Sequence, residues 1–117
     1  MSAESDVFVV LLTGPDLATL RRIGRSVVAE KLAACVNVVP AVTSVYRWQG
    51  EIMEEGEGLA ILKTTRSALS ALEDRVRELH PYEVPEFLAL PVVTGAEEYL
   101  EWVVGSVEAP VDDEQAR

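Results

Sequence analysis

Runs of apolar residues with two different spacings divide the chain into strands and helices. Residues 6–14, DVFVVLLTG, are almost all apolar and rich in β-branched side chains, as in a central strand that is buried on both faces. From Pro15 to Lys31 the apolar residues recur at helical spacing, with arginines between them. The pattern predicts a strand followed directly by an amphipathic helix. The apolar positions of this helix are Leu17, Leu20, Ile23, Val27 and Val28.

The next part of the chain predicts a long β-hairpin. Residues 32–48 and 51–65 are rich in β-branched residues, and Gln49-Gly50 between them suits a tight turn. Pro40 has no N–H to donate to a neighbouring strand, so it marks a sheet edge, a bulge or a bend. The pattern leaves the register of the two strands open.

The remaining chain predicts a helix, a short strand and a last helix. Residues 64–80 carry an apolar stripe at helical spacing, which Pro81 ends. Residues 84–93, VPEFLALPVV, are typical of a short strand, and residues 95–107 of a helix. The order β-α-β-β-α-β plus a C-terminal helix predicts an α+β, ferredoxin-like sandwich, with an antiparallel sheet and two helices on one face.

The predicted hairpin has more apolar surface than two helices can cover. Apolar residues point to both faces of its strands and continue to Tyr46 and Trp48 near the turn. A surplus of this kind usually marks a contact with another chain. We therefore expect a homo-oligomer, because a second copy of the same chain is the simplest partner.

Length and charge narrow the classes of function. The 117 residues suit one domain, which we place at residues 1–107, and we expect the acidic tail 108–117 to be disordered. The net charge of −10 disfavours nucleic acid and anionic membranes as partners.

The apolar run Val7 to Leu12 is too short to span a membrane. A single cysteine, Cys35, suits a reducing compartment, so we expect a cytoplasmic protein.

The sequence LHPYEVPE, residues 79–86, holds the single histidine of the chain. A neutral imidazole is a good ligand for copper or zinc, and Glu83 could add a carboxylate oxygen. Cys35 could supply a soft thiolate ligand. The structural alternatives are that His80 caps the end of a helix and that Cys35 packs in the core.

Other polar residues suggest a cleft between subunits. Lys63 follows an apolar run and needs a carboxylate partner such as Glu83, or an anion. Tyr82 and Arg47 could line the same cleft, with Trp48 as an interface anchor. The chain has no Walker, GxGxxG, HExxH, CxxC or GxSxG motif, so we predict no enzymatic activity.

Three segments together resemble the CutA family of divalent-cation tolerance proteins. They are EKLAACVNVVPAVTSVYRWQG, KTTRSALSALEDRVRELHPYEVPEFLALPV and YLEWV, within a resemblance that runs from about Val7 to Val104. The resemblance implies a ferredoxin-like protomer and a compact homotrimer built by pairing hairpin strands between protomers. It also implies a link to tolerance of divalent metals, with Cu(II) as a bound ion and no required cofactor.

Three functions follow from these observations. The first is a trimer that binds a divalent metal, copper in particular, through His80, Glu83 and Cys35. The second is a signalling trimer similar to PII proteins, which binds a small anion or metabolite where protomers meet. The third is a trimeric scaffold that anchors an unknown protein partner.

Overall fold

The alternation of strands and helices follows the predicted order. The structure, a computed structural model, describes residues 5–108, so most of the predicted tail 108–117 lies outside the described residues. The order β-α-β-β-α-β plus a final helix is confirmed. A single 3-10 turn precedes the second long helix. The elements are β1 (Val7–Gly14), α1 (Leu17–Ala29), β2 (Cys35–Trp48), β3 (Glu51–Thr65), the turn Arg66–Ala68, α2 (Leu69–Leu79), β4 (Phe87–Pro91) and α3 (Glu97–Ser106).

The first helix starts two residues later than its apolar spacing suggests. Pro15 precedes the helix, and Asp16 is the N-cap, with its carboxylate accepting a hydrogen bond from the N–H of Thr19 at 2.7 Å. This capping bond satisfies a donor that the first helical turn leaves free. At the other end, Lys31 takes a positive φ of 62° and therefore cannot extend the helix.

The hairpin turn is the predicted one. Gln49 and Gly50 have φ values of 51° and 82°, and Trp48 pairs with Glu51. Two positive φ values are typical of the type I′ turn, whose twist matches that of the flanking strands. The turn fixes the register that the sequence pattern left open. A register shift between Val39 and Val42 flanks Pro40, on a strand that lies at the sheet edge.

The four strands form one antiparallel sheet in the order β2-β3-β1-β4. Helices α1 and α2 cover one face, where they bury a core with the even-numbered residues of β1. The fully buried members of this core include Val10, Leu12, Leu20, Ile23, Val27, Leu62, Leu72 and Val76. No helix among residues 5–108 has the length and apolar character needed to cross a membrane.

The third helix packs away from this core. Val103 of α3 is buried against Val7 and Ala34, next to Leu100. Val7 belongs to the odd-numbered positions of β1, which face away from α1 and α2 because successive strand residues point to opposite faces. Helix α3 therefore covers only one end of the second face of the sheet.

Candidate functional site

His80 lies at the end of α2, beside the end of β1. It is the C-cap residue of the helix and is 7% exposed. Its Nε2 lies 2.7 Å from the carbonyl oxygen of Thr13, and its Nδ1 accepts a hydrogen bond from the N–H of Tyr82 at 3.1 Å. A carbonyl can only accept, so Nε2 carries the proton and donates it. The local sequence explains the geometry, since Pro81 ends the helix and turns the chain back over the ring.

Tyr82 connects this segment to the hairpin. Its ring lies 4.8 Å from the His80 ring, and its hydroxyl donates to Oε2 of Glu57 at 2.9 Å. Partial burial and then the Glu57 carboxylate raise the pKa of Tyr82 to about 12. Close by, the hydroxyl of Tyr46 donates to Glu55, and this bond raises the pKa of Tyr46.

The sequence pattern did not predict either of these phenol–carboxylate hydrogen bonds. The Tyr46–Glu55 bond could have been predicted, because a two-residue turn at Gln49-Gly50 places Glu55 diagonally across from Tyr46. The Tyr82–Glu57 pair joins residues 25 positions apart, and no spacing rule connects them.

Cys35 belongs to a second polar group, on the face of the sheet opposite α1 and α2. Cys35 pairs with Lys63 of β3 across the two strands. The Lys63 ammonium donates a hydrogen bond to Oδ1 of Asn37, and the Cys35 Sγ lies 3.8 Å from the same oxygen. Tyr99 of α3 is next to Cys35. Partial burial, followed by the charge and hydrogen bond of Cys35, raises the pKa of Tyr99. The suggested pairing of Lys63 with Glu83 was wrong, since the partner is the Asn37 amide.

The three predicted metal ligands do not meet within one chain. Lys63 of β3 pairs with Cys35 on one side and with Val9 on the other, so Cys35 lies level with Val9 of β1. His80 instead contacts Thr13, four residues farther along β1. Four residues of a strand span about 13 Å. Glu83 is exposed, and within the described chain no cluster of three metal-binding side chains forms.

The four residues of the predicted cleft are also spread along the molecule. Arg47 and Trp48 lie beside the hairpin turn, and Trp48 is 60% exposed. Lys63 lies at the opposite end of β3, twelve residues from Glu51, which corresponds to roughly 40 Å of strand. Tyr82 lies between them, at Glu57. One chain alone therefore does not bring these residues into one cleft.

Much of the second face of the sheet is apolar, and no helix among residues 5–108 covers it. We call it the open face. Leu11 pairs with Ile61 on one side and with Leu88 on the other, so the three side chains lie in a row. Leu88 is 56% exposed and Leu90, opposite Val9, is 47% exposed. An apolar strip of this kind suits contact with another protein surface.

Comparison with known proteins places the chain in a family. A profile of the CutA1 divalent ion tolerance protein matches residues 8–106. The divalent-cation tolerance protein CutA of Thermus thermophilus is 53% identical over 95 residues, which cover 81% of this chain and 92% of that protein. Protein CutA of Homo sapiens is 45% identical over 106 residues, 91% of this chain. The match spans 59% of the human protein's own length.

Solved structures agree with these sequence matches. CutA1 from Oryza sativa superposes with a TM-score of 0.87 at 42% identity, covering 93% of this chain and all of that one. A divalent cation tolerance protein from Archaeoglobus fulgidus, described as periplasmic, superposes with a TM-score of 0.83 at 32% identity. The superposition covers 87% of this chain and 99% of the Archaeoglobus chain. Together with the profile match and the sequence identities, these likenesses show that the chain belongs to the CutA1 divalent ion tolerance family.

Proposed function

We propose that this protein acts as a homotrimer that binds a divalent metal, with copper as the preferred ion, and thereby contributes to metal tolerance. The observation that carries the proposal is membership of the divalent ion tolerance family over residues 8–106. The trimer is supported by the open face, where Leu88 and Leu90 remain about half exposed in a single chain. Burying this strip against neighbouring copies would remove apolar surface from water.

The environment of His80 supports Nδ1 as the metal-binding atom. A histidine that binds a metal usually donates its other ring N–H to a carbonyl or carboxylate, which fixes the ring and its tautomer. The Nε2–H of His80 has such an acceptor in the carbonyl of Thr13. Nδ1 accepts from the N–H of Tyr82, so metal binding would displace that bond. Glu83, the next residue after Tyr82, would then add a carboxylate oxygen.

Cys35 fits this proposal only if two protomers share a site. It lies on the opposite side of the sheet from His80, so a thiolate ligand at His80 would come from a neighbouring chain. Cu(II) heads the affinity order of divalent first-row metals, which makes it the ion of choice for a site with an imidazole nitrogen.

Native mass spectrometry with a small excess of Cu(II) tests the metal site. We expect wild type to appear as a trimer with a fixed number of copper ions, and His80→Ala and Glu83→Gln to lose them. Glu86→Gln is the matched control, because Glu86 is an exposed carboxylate in the same segment. Thermal unfolding of each variant separates loss of metal from loss of fold. Equal copper uptake by all four proteins would contradict the role of His80 and Glu83.

A second candidate is binding of a small anion where protomers meet. Lys63 favours it, because its ammonium group bonds to the neutral Asn37 amide and has no carboxylate partner among the described residues. In the same native spectra, phosphate retained by wild type but lost by Lys63→Gln would favour this function over metal binding.

We also propose a cytoplasmic location, which the single cysteine of the chain supports. Cell fractionation with an antibody against the protein tests it. Recovery in a secreted or periplasmic fraction would overturn this location.

A further inference from the structure

Tyr82 covers the ring nitrogen of His80 that has a lone pair available for a ligand. The Nε2 side of the ring faces the end of β1, where Nε2 donates its proton to the carbonyl oxygen of Thr13 at 2.7 Å. A Cβ added at Gly14 would lie only 3.6 Å from Nε2, so the strand is close on that side. Nδ1 points the other way and accepts the N–H of Tyr82 at 3.1 Å. Because His80 is only 7% exposed, a ligand reaches Nδ1 when Tyr82 moves away.

The side chain of Tyr82 holds this cover in place. Its ring lies 4.8 Å from the His80 ring, and its hydroxyl donates to Oε2 of Glu57 at 2.9 Å. Residues 81–86 form neither helix nor strand, so the position of this segment depends on contacts such as this bond. Glu57, in contrast, belongs to β3 and pairs with Val42 across the hairpin. The hydroxyl of Tyr82 therefore ties an irregular segment to a strand of the sheet.

These contacts define a closed and an open arrangement of the segment. In the closed arrangement, which the structure shows, Tyr82 bonds to Nδ1 through its N–H and to Glu57 through its hydroxyl. In the open arrangement both bonds are broken and Nδ1 faces water. A ligand of Nδ1 binds only the open arrangement, so its apparent affinity falls in proportion to the open population. The bond to Glu57 lowers that population, because a hydrogen bond to a carboxylate is stronger than one between neutral groups.

We propose that Tyr82 is a gating residue, whose hydrogen bond to Glu57 keeps Nδ1 of His80 covered and thereby limits the access of a metal ion to that nitrogen. The proposal rests on the proposed metal-binding function and adds the regulation of its site. The cost of opening sets a threshold: an ion with low affinity for imidazole leaves the gate closed at a concentration at which Cu(II) opens it.

Carbethoxylation by diethyl pyrocarbonate tests the gate without any metal. The reagent acylates an unprotonated imidazole nitrogen, and His80 is the single histidine of the chain, so the ultraviolet signal of carbethoxyhistidine in untagged protein reports His80 alone. Tyr82→Phe keeps the ring and removes the hydroxyl, and we expect it to react several-fold faster than wild type. Glu57→Ala removes the acceptor and should react as fast as Tyr82→Phe. The double variant should be no faster than either single variant, because all three lack the same bond.

Tyr46→Phe is the matched control for these rates. It removes the neighbouring phenol–carboxylate bond, from Tyr46 to Glu55, which does not involve residues 80–86. This variant should react like wild type. Thermal unfolding of each variant, with all rates measured well below the midpoint, separates opening of the gate from a general loss of fold.

Calorimetric titration with Cu(II) connects the gate to the metal. Tyr82→Phe should bind copper with a dissociation constant several-fold lower than that of wild type, whereas Tyr46→Phe should match wild type. Equal carbethoxylation of wild type and Tyr82→Phe would overturn the gate, as would a Tyr82→Phe protein that binds copper with unchanged affinity. Failure of the metal-binding function gives a different result, in which no protein binds copper although carbethoxylation follows the expected order. That result would leave Tyr82 as the gate of His80 and exclude copper as the ligand behind it.

Discussion

At the scale of single residues, hydrogen bonds tie the LHPYEVPE segment to the rest of the molecule. His80 bonds to the end of β1 and Tyr82 to Glu57 of the hairpin, so two adjacent side chains join three elements. The Tyr82 hydroxyl is a donor to a carboxylate, which requires a neutral phenol. Partial burial, and then this hydrogen bond, favour the protonated form in the folded chain, so the pKa of Tyr82 rises from 10.0 to about 12.

The raised pKa of Tyr82 predicts a loss of stability at high pH. Below pH 10.0 the phenol is neutral in both the folded and the unfolded chain, and its contribution is complete. Between pH 10.0 and about 12 the unfolded chain loses the proton first, so the contribution declines. Tyr82→Phe should remove this part of the decline, measured as the denaturant midpoint across that pH range.

Ultraviolet titration of tyrosinate provides the matching control. Tyr82→Phe should lack the component that titrates near pH 12, and Glu57→Gln should move that component towards pH 10.0 by removing the negative charge. If Tyr82→Phe titrates like wild type at the alkaline end, the component near pH 12 belongs to another tyrosine.

At the scale of elements, the hairpin depends on its two-residue turn. Gly50 has a φ of 82°, a conformation that costs other residues energy because the Cβ clashes with the backbone. The turn sets the pairing of Trp48 with Glu51 and, through it, the position of every hairpin side chain. A register slip by one residue would exchange the two faces of the strands.

Gly50→Ala should lower the free energy of unfolding by about 1 kcal/mol, because alanine is strained at positive φ. Gly56→Ala is the matched control. Gly56 lies in the same hairpin, has no positive φ, and a Cβ there would meet nothing within 4 Å. It should leave stability unchanged or raise it by up to about 1 kcal/mol. Urea denaturation measures both, and equal effects of the two variants would argue against strain at the turn.

At the scale of the whole molecule, the two faces of the sheet differ in how well one chain covers them. Helices α1 and α2 bury the first face along β1 and the adjoining parts of β2 and β3, whereas α3 covers one end of the second. The open face therefore has a strip of leucine and isoleucine side chains that no helix in the described part of the chain covers. This difference is the physical basis for the proposed trimer.

A charge on the open face should separate the protomers. Leu88→Glu would place a carboxylate in the proposed interface, where an unpaired charge is costly. Because Leu88 is 56% exposed in one chain, the fold of the protomer should persist. We expect light scattering to show a monomer for Leu88→Glu and a trimer for wild type and for Leu17→Glu. Leu17 is an exposed leucine in the first turn of α1, on the other side of the sheet. A trimer for Leu88→Glu would place the interface elsewhere.

The sequence by itself determined the order of the elements, the turn at Gln49-Gly50 and the family. These properties depend on local information, namely the periodicity of apolar residues, the backbone freedom of glycine and proline, and motifs such as LAACVN and HPYEVPE. The ends of elements were predicted less accurately. The start of α1 is set by one hydrogen bond from the N–H of Thr19 to the Asp16 carboxylate, and the spacing of apolar residues contains no information about that bond.

Only the tertiary structure decided which side chains meet. Lys63 found Asn37 rather than Glu83, and His80 and Cys35, both predicted metal ligands, lie on opposite sides of the sheet. Register and sheet order set such contacts between residues far apart in the chain, as for Tyr82 and Glu57. Sequence spacing does not specify these distances, because they arise only when strands pair and helices pack around a shared core.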